Sequence, residues 1–268
     1  MIDRGKRNVL GVQISVVDYE AAVERVIWAA REGAPLAVSA LAVHGVMTGV
    51  GDPVHRYRLN QFNLLVPDGQ PVRWALNLMH RACLKDRVYG PNLMLKVCAR
   101  AEAQQLPIFL FGGSRELLVA LSANLLRSFP RLPLAGLRPS RFRCLTAEEE
   151  RELIAEIRES GARITFIGLG CPRQEVSAYE LRDSLAMPVL SVGAAFNFHA
   201  GKLAQAPGSL QKWGLEWLFR LLAEPRRLWK RYLLLNPTYL GLLTLQVTGL
   251  HRFDPIHAIK PHDAIRYG

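Results

Sequence analysis

"ARITFIGLGCPRQE", residues 162–175, decides the fold. Ile164, Phe166 and Ile167 form a short apolar run that ends on Gly168 and Gly170. Helix-forming residues follow at once, with Pro172 at a first helical position and Gln174 and Glu175 in the first turn. A run without polar alternation suits a strand covered on both faces, and such cover belongs to a parallel sheet between layers of helices. "PIFLFGG" (107–113) repeats the pattern. Working outward, strands are expected at 9–15, 35–41, 62–66, 107–111, 163–168 and 188–193. Helices are expected near 19–31, 70–79, 92–105, 115–128, 146–159 and 174–185, with Thr146 and Glu149 forming a capping box.

The 268 residues are half hydrophobic, enough for a folded α/β body of one large domain or one domain plus an appendage. A net charge of +11 points to anionic partners, or else to a basic surface facing water. Aromatics are not interleaved with the basic residues outside the C-terminal stripe, so no nucleic-acid partner is expected. Cys83, Cys98, Cys144 and Cys171 show neither CxxC nor His/Cys ligand spacing; free thiols are expected, and no metal. The first residues lack the apolar core of a secretory signal, and no apolar run is long enough to span a membrane, so a cytoplasmic location is expected.

Past residue 208 the composition changes. "LQKWGLEWLFRLLAEPRRLWKRY" (210–232) carries a helical apolar stripe that includes Trp213 and Trp217. Lys212, Arg220, Arg226, Arg227, Lys230 and Arg231 lie on the other face, relieved by Glu216 and Glu224. Pro225 is expected to break this into two helices, and Asn236-Pro237 to interrupt the apolar residues that follow. Tryptophan opposite arginine fits docking on an anionic membrane surface; the competing reading packs the stripe on the body or on another subunit. The expected division is an α/β domain over 1–208 and a membrane-associating appendage over 209–268.

Polar groups gather at strand ends. "LLVPDGQPV" (64–72) sets Asp68 between a strand and a helix, either as a helix cap or as a reactive carboxylate. Glycine turns at Gly112, Gly113 and Ser114, at Gly168 and Gly170, and at 191–201 offer backbone N–H groups to phosphate, though none matches a dinucleotide or P-loop fingerprint. Arg87 suits bidentate pairing with a diphosphate, or else an ion pair with Asp86. Ser39, near a strand end, is placed to hydrogen-bond a ligand hydroxyl, and His44 reads as structural. No serine–histidine–acid order or nucleophile elbow favours a hydrolase.

Together "VPDGQPV", "DRVYGPNLM", "FLFGGS", "IGLGCPRQE", "SVGAAFNFHAGKLAQAP" and "GLEWLFRLLAEPRRLWKRY" closely resemble the WecG/TagA/CpsF glycosyltransferases, in family order over roughly 9–232. The resemblance implies a Rossmann-like α/β fold with a basic amphipathic C-terminal appendage. It implies inverting transfer of a hexose or N-acetylhexosamine from a UDP-sugar to an undecaprenyl-diphosphate-linked acceptor, without a cofactor, in exopolysaccharide or other cell-surface polysaccharide synthesis. The enzyme would sit peripherally on the inner face of the cytoplasmic membrane, with the anionic inner leaflet as partner; a homo-oligomer stays open. Carried over, the catalytic base falls on Asp68, the functional arginine on Arg87 and the "PxQE" glutamine on Gln174. Substrate-binding positions fall on Ser39, Gly69, Gly90, Asn92, Gly112, Gly113, Gly170, Pro172, Glu175 and Asn197. Membrane contacts fall on Trp213, Trp217, Arg220, Arg226, Arg227, Lys230 and Arg231. The chain departs from the family pattern at Leu41, Asn92, Asn197 and Gln205, which leaves the sugar open and gives a second reading: a non-catalytic, membrane-associated scaffold of a polysaccharide assembly complex.

Overall fold

The computed structural model describes the backbone of all 268 residues and every side chain except those of Lys212, Arg227, Lys230 and Arg231. The chain opens with an antiparallel hairpin, β1 (Asp3–Val9) and β2 (Val12–Val17). The sequence suggests a single strand over 9–15, but the chain reverses at Leu10 and Gly11, both with positive φ. Such a pair matches the twist of a two-residue hairpin, and the Asn8 side chain secures it by accepting from the Gly11 N–H at 2.7 Å. Then follow α1 (Tyr19–Glu32), β3 (Leu36–Leu41), α2 (Val43–Gly51), α3 (Pro53–Gln61), β4 (Leu64–Pro67), α4 (Gln70–His80) and α5 (Gly90–Ala103). The second half runs β5 (Ile108–Phe111), α6 (Arg115–Ser128), β6 (Leu134–Arg138), α7 (Ala147–Glu159), β7 (Ile164–Ile167), α8 (Arg173–Leu185), β8 (Pro188–Ser191) and α9 (Ala195–His199).

Six strands form one parallel sheet in the order β4-β3-β8-β7-β5-β6. β4, β5, β7 and β8 are buried at every residue, as their unbroken apolar runs require. The alternation of side chains then sorts them into two cores. Val38, Leu64, Val66, Ile108, Leu110, Ile164, Phe166 and Leu190 join residues of α1, α5 and α6 on one face. Ala37, Leu41, Leu65, Phe109, Phe111, Ile167 and Val189 join residues of α2, α4, α7 and α8 on the other. Because every strand points the same way, the loops after β3, β4, β5, β7 and β8 leave from one edge.

Three elements escape the sequence pattern. β6 is an edge strand, half-buried throughout and joined to β5 by a shifted register, so it lacks an apolar run. α2 contains three glycines, which disguise a helix. Gly49 is required there, since a Cβ would lie 2.9 Å from the Leu59 side chain. α3 is held by Asp52, whose carboxylate accepts from Val54 and His55 N–H groups. The expected capping box of Thr146 and Glu149 is present at α7. Pro172 stands one residue earlier than expected, as the N-cap of α8, after a cis peptide bond to Cys171. No disulfide joins the four cysteines.

Beyond residue 208 the chain forms α10 (Gly208–Lys212), α11 (Glu216–Ala223) and α12 (Pro225–Lys230), with the expected break at Pro225. A π-helical turn (Arg231–Leu235) leads into α13 (Asn236–Val247). Asn236-Pro237 therefore does not break the helical run: it marks the change from the π-helical turn to α13, in whose first turn Pro237 lies. Tyr239 and Leu243 of α13 are buried in the second core, and the Tyr239 hydroxyl donates to the Pro71 carbonyl at 3.2 Å. Gln246 accepts from the Leu10 N–H, and Arg266 pairs with Glu150. Among the described residues no helix is long and apolar enough to cross a membrane.

Candidate active site

The C-terminal edge of the sheet opens into a cavity of about 950 Å3. The loops after β5, β7 and β8 line it through Gly113 and Ser114, through Gly168 and Gly170, and through Gly193 and Asn197. These turns come close because they lack side chains: a Cβ at Gly112 would lie 2.8 Å from the Gly168 carbonyl carbon. A second, smaller cavity adjoins the first, between the β4 end and α11. Asp68, His44 and Arg220 line both, so Asp68 stands where the two spaces meet.

Asp68 follows β4 directly. Its N–H donates to the Leu41 carbonyl at 3.2 Å, and its Oδ1 accepts from the N–H of Gly90, the first residue of α5, at 3.0 Å. It does not cap the helix that follows it; Gly69 holds that position with no side-chain bond. Burial pushes the Asp68 pKa up to about 6; Arg87 opposes the shift and Glu216 adds to it. A carboxylate titrating there is matched to taking a proton near neutral pH.

Arg87 is buried beside Asp68. Its guanidinium pairs with the Glu216 carboxylate, donates to Gln211 Oε1 at 3.3 Å and lies 4.2 Å from the centre of the Tyr89 ring. The Tyr89 hydroxyl donates to the other Glu216 oxygen at 2.9 Å. Burial works against the charge of Arg87, but Asp68 and Glu216 outweigh it and hold its pKa above the ordinary value. Burial also pushes the Tyr89 phenol up.

Gln174 braces the glycine turns. Its Oε1 accepts from the Gly170 N–H at 3.2 Å, its Nε2 donates to Glu175 Oε1 at 2.8 Å, and its backbone carbonyl accepts from Ser191 Oγ at 3.0 Å. Glu175, although buried, borders the large cavity, and burial pushes its pKa up. Among the described residues no group of three or more His, Cys, Asp or Glu side chains is arranged to hold a metal ion.

The structure brings Asp68, Arg87, Gly69, Gly113, Gly170, Gln174, Glu175 and Asn197 to these two spaces. Gly90 serves from behind, through its bond to Asp68. Besides Gly90, four expected binding positions do not reach the cavities. Ser39 is fully buried and its hydroxyl donates to Glu175 Oε1 at 3.0 Å, because its strand position faces α8 and not the edge. Asn92 lies exposed on α5; Gly112 and Pro172 shape their turns. Among the residues expected to meet a membrane, Trp217 and Arg220 line the small cavity, Trp217 packing on Tyr232 and Arg220 lying over Phe198. Trp213 and Arg226 are exposed, while the side chains of Arg227, Lys230 and Arg231 lie outside the described residues. Sequence reasoning misses Tyr89 and Glu216. Tyr89 has its signal between Arg87 and Gly90, and Glu216 in being one helical turn ahead of Arg220 on the same face.

The family model described as "Glycosyl transferase WecG/TagA/CpsF family" matches residues 7–252 of the chain.

Proposed function

Because the chain belongs to the WecG/TagA/CpsF glycosyltransferase family, whose work is cell-surface polysaccharide synthesis, we propose that it moves a hexose or N-acetylhexosamine from a UDP-sugar to an undecaprenyl-diphosphate-linked acceptor. The observation that carries this reading is the position of Asp68 at the junction of two cavities, with a pKa near 6. The large cavity, edged by glycine turns, has the room and the backbone donors for a nucleotide-linked sugar. The small one, floored by Asp68 and roofed by α11, admits the acceptor.

In this reading Asp68 removes the proton of the acceptor hydroxyl as its oxygen attacks the anomeric carbon. The bond from that carbon to the diphosphate breaks on the opposite side, which inverts the configuration. Charge growing on the departing UDP is met by backbone N–H groups of the turns, while Arg87, which lines the small cavity, faces the acceptor's diphosphate. Gln174 keeps those turns in register. The face of α11 opposite Glu216 and Arg220 presents Leu218 and Leu222 to solvent, which supports peripheral attachment to the inner face of the cytoplasmic membrane.

UDP release from a panel of UDP-sugars with a polyprenyl-diphosphate-linked saccharide tests the reading. The wild type is expected to turn over at least one donor, and Asp68→Asn to lose roughly 10²–10⁴-fold of that rate. An unchanged rate in Asp68→Asn would remove the base assignment. UDP bound without transfer to any acceptor would instead favour the non-catalytic scaffold.

A further inference from the structure

Glu216 comes from the tail, yet its carboxylate ends in the middle of the candidate site. It closes a triangle: one oxygen takes the Arg87 guanidinium, the other takes the Tyr89 hydroxyl, and the Tyr89 ring lies under the guanidinium. Gln211, also from the tail, accepts a further Arg87 N–H. A long arginine side chain has many rotamers, and these contacts restrict them.

The charges matter as much as the shape. An arginine next to a carboxylate ordinarily makes it a poor base by stabilising its ionised form. Here Arg87 is already paired with a second carboxylate, Glu216, while both Arg87 and Glu216 lie close enough to Asp68 to act on its charge. We propose that Glu216 is a positioning residue: it fixes the Arg87 guanidinium for the diphosphate and keeps that arginine from claiming Asp68, so that Asp68 stays available as base. This rests on the reading of Asp68 given above. The direction of the Asp68 shift agrees, since Glu216 is among the groups that raise it. The other titratable groups facing Asp68 are Tyr89 near Arg87, Tyr19 of α1, His44 of α2 and Arg220 of α11. All of them are held constant in the comparison below.

The test reads the ionisation of Asp68 itself and needs no turnover. The full-length chain is labelled with 13C at aspartate carboxyls, and the Asp68 resonance is assigned by its loss in Asp68→Asn. Its titration is followed in wild type, Glu216→Gln and Glu216→Asp. Glu216→Gln keeps shape and removes charge, and is expected to lower the Asp68 midpoint by about one pH unit. Glu216→Asp keeps the charge but draws it back by one methylene, and is expected to give a smaller shift in the same direction. With a donor that turns over, the acid limb of the rate profile should move as the midpoint does, with kcat falling more than KM rises. A midpoint unmoved in Glu216→Gln with wild-type helical circular dichroism would overturn the proposal. So would equal shifts in the two variants, which would assign the effect to packing. Should Glu216→Gln fail to fold, an unmoved midpoint in folded Glu216→Asp would overturn it alone. If Asp68 is not the base, transfer survives in Asp68→Asn whatever Glu216 does, so the two failures look different.

Discussion

Asp68 stands in an environment that favours its protonated form, while the base role proposed for it requires the ionised one. Its folded pKa, about 6, lies above the 3.8 of an unhindered aspartate. Transfer is therefore expected to fall as pH drops through about 6, one proton shutting down the base, measured as the acid limb of the rate against pH. Stability runs the other way. A carboxyl whose pKa is raised by folding stabilises the folded state fully below pH 3.8, and that contribution is lost as pH rises through about 6. At pH 7.5 the ionised group is thus a burden, and Asp68→Asn is expected to gain on the order of 1–3 kcal/mol of stability while losing activity. Thermal melts at pH 4 and pH 7.5 check this: the gain should appear at the higher pH and shrink at the lower. Asp68 and Arg87 are legible in the sequence because turn residues and strand ends are local features. Glu216 is not, because its partners are 127 and 129 positions away and only the fold joins them.

At the scale of the element, the glycine turns set the width of the large cavity. Gly168 packs under the Phe196 ring so closely that a Cβ would lie 2.4 Å from it. The ring is fully buried and packed in the first core, so it cannot swing away without disturbing its neighbours. Gly168→Ala is expected to destabilise the protein by about 1–3 kcal/mol through overpacking, and to weaken UDP binding by shifting the turn. Urea denaturation and UDP titration measure the two effects. The same scale explains what the sequence reveals of the fold. β5, β7 and β8 are legible to within two residues because burial on both faces leaves an apolar signature. β6 and α2 are hidden, one by the half-exposure of an edge and the other by glycines chosen for close packing. The hairpin is misread as one strand because Leu10, an apolar residue, occupies a turn position that ordinarily selects Gly or Asn.

Over the whole molecule, the tail works on both sides of itself. α11 turns Glu216, Trp217 and Arg220 toward the cavity and leaves Leu218 and Leu222 exposed; Trp213, Trp229, Leu233 and Leu234 extend the exposed apolar surface. Leu218→Lys with Leu222→Lys is expected to cut binding to phosphatidylglycerol vesicles at least about tenfold, since each removes buried apolar area worth roughly 1.5 kcal/mol or more. Flotation of vesicles with the full chain measures this, and the melting temperature should hold because neither side chain is in a core. A basic amphipathic stripe is visible in the sequence. Which of its members turn inward is not, because that depends on where α11 lies over Asp68.

That two-sided helix carries a practical consequence. The roof of the candidate site cannot be assembled without also displaying apolar side chains outward, so in plain buffer the intact chain is expected to cluster through that surface. Detergent or bicelles would then change dispersion and turnover together, and kinetics gathered without them would describe a crowd of molecules instead of one.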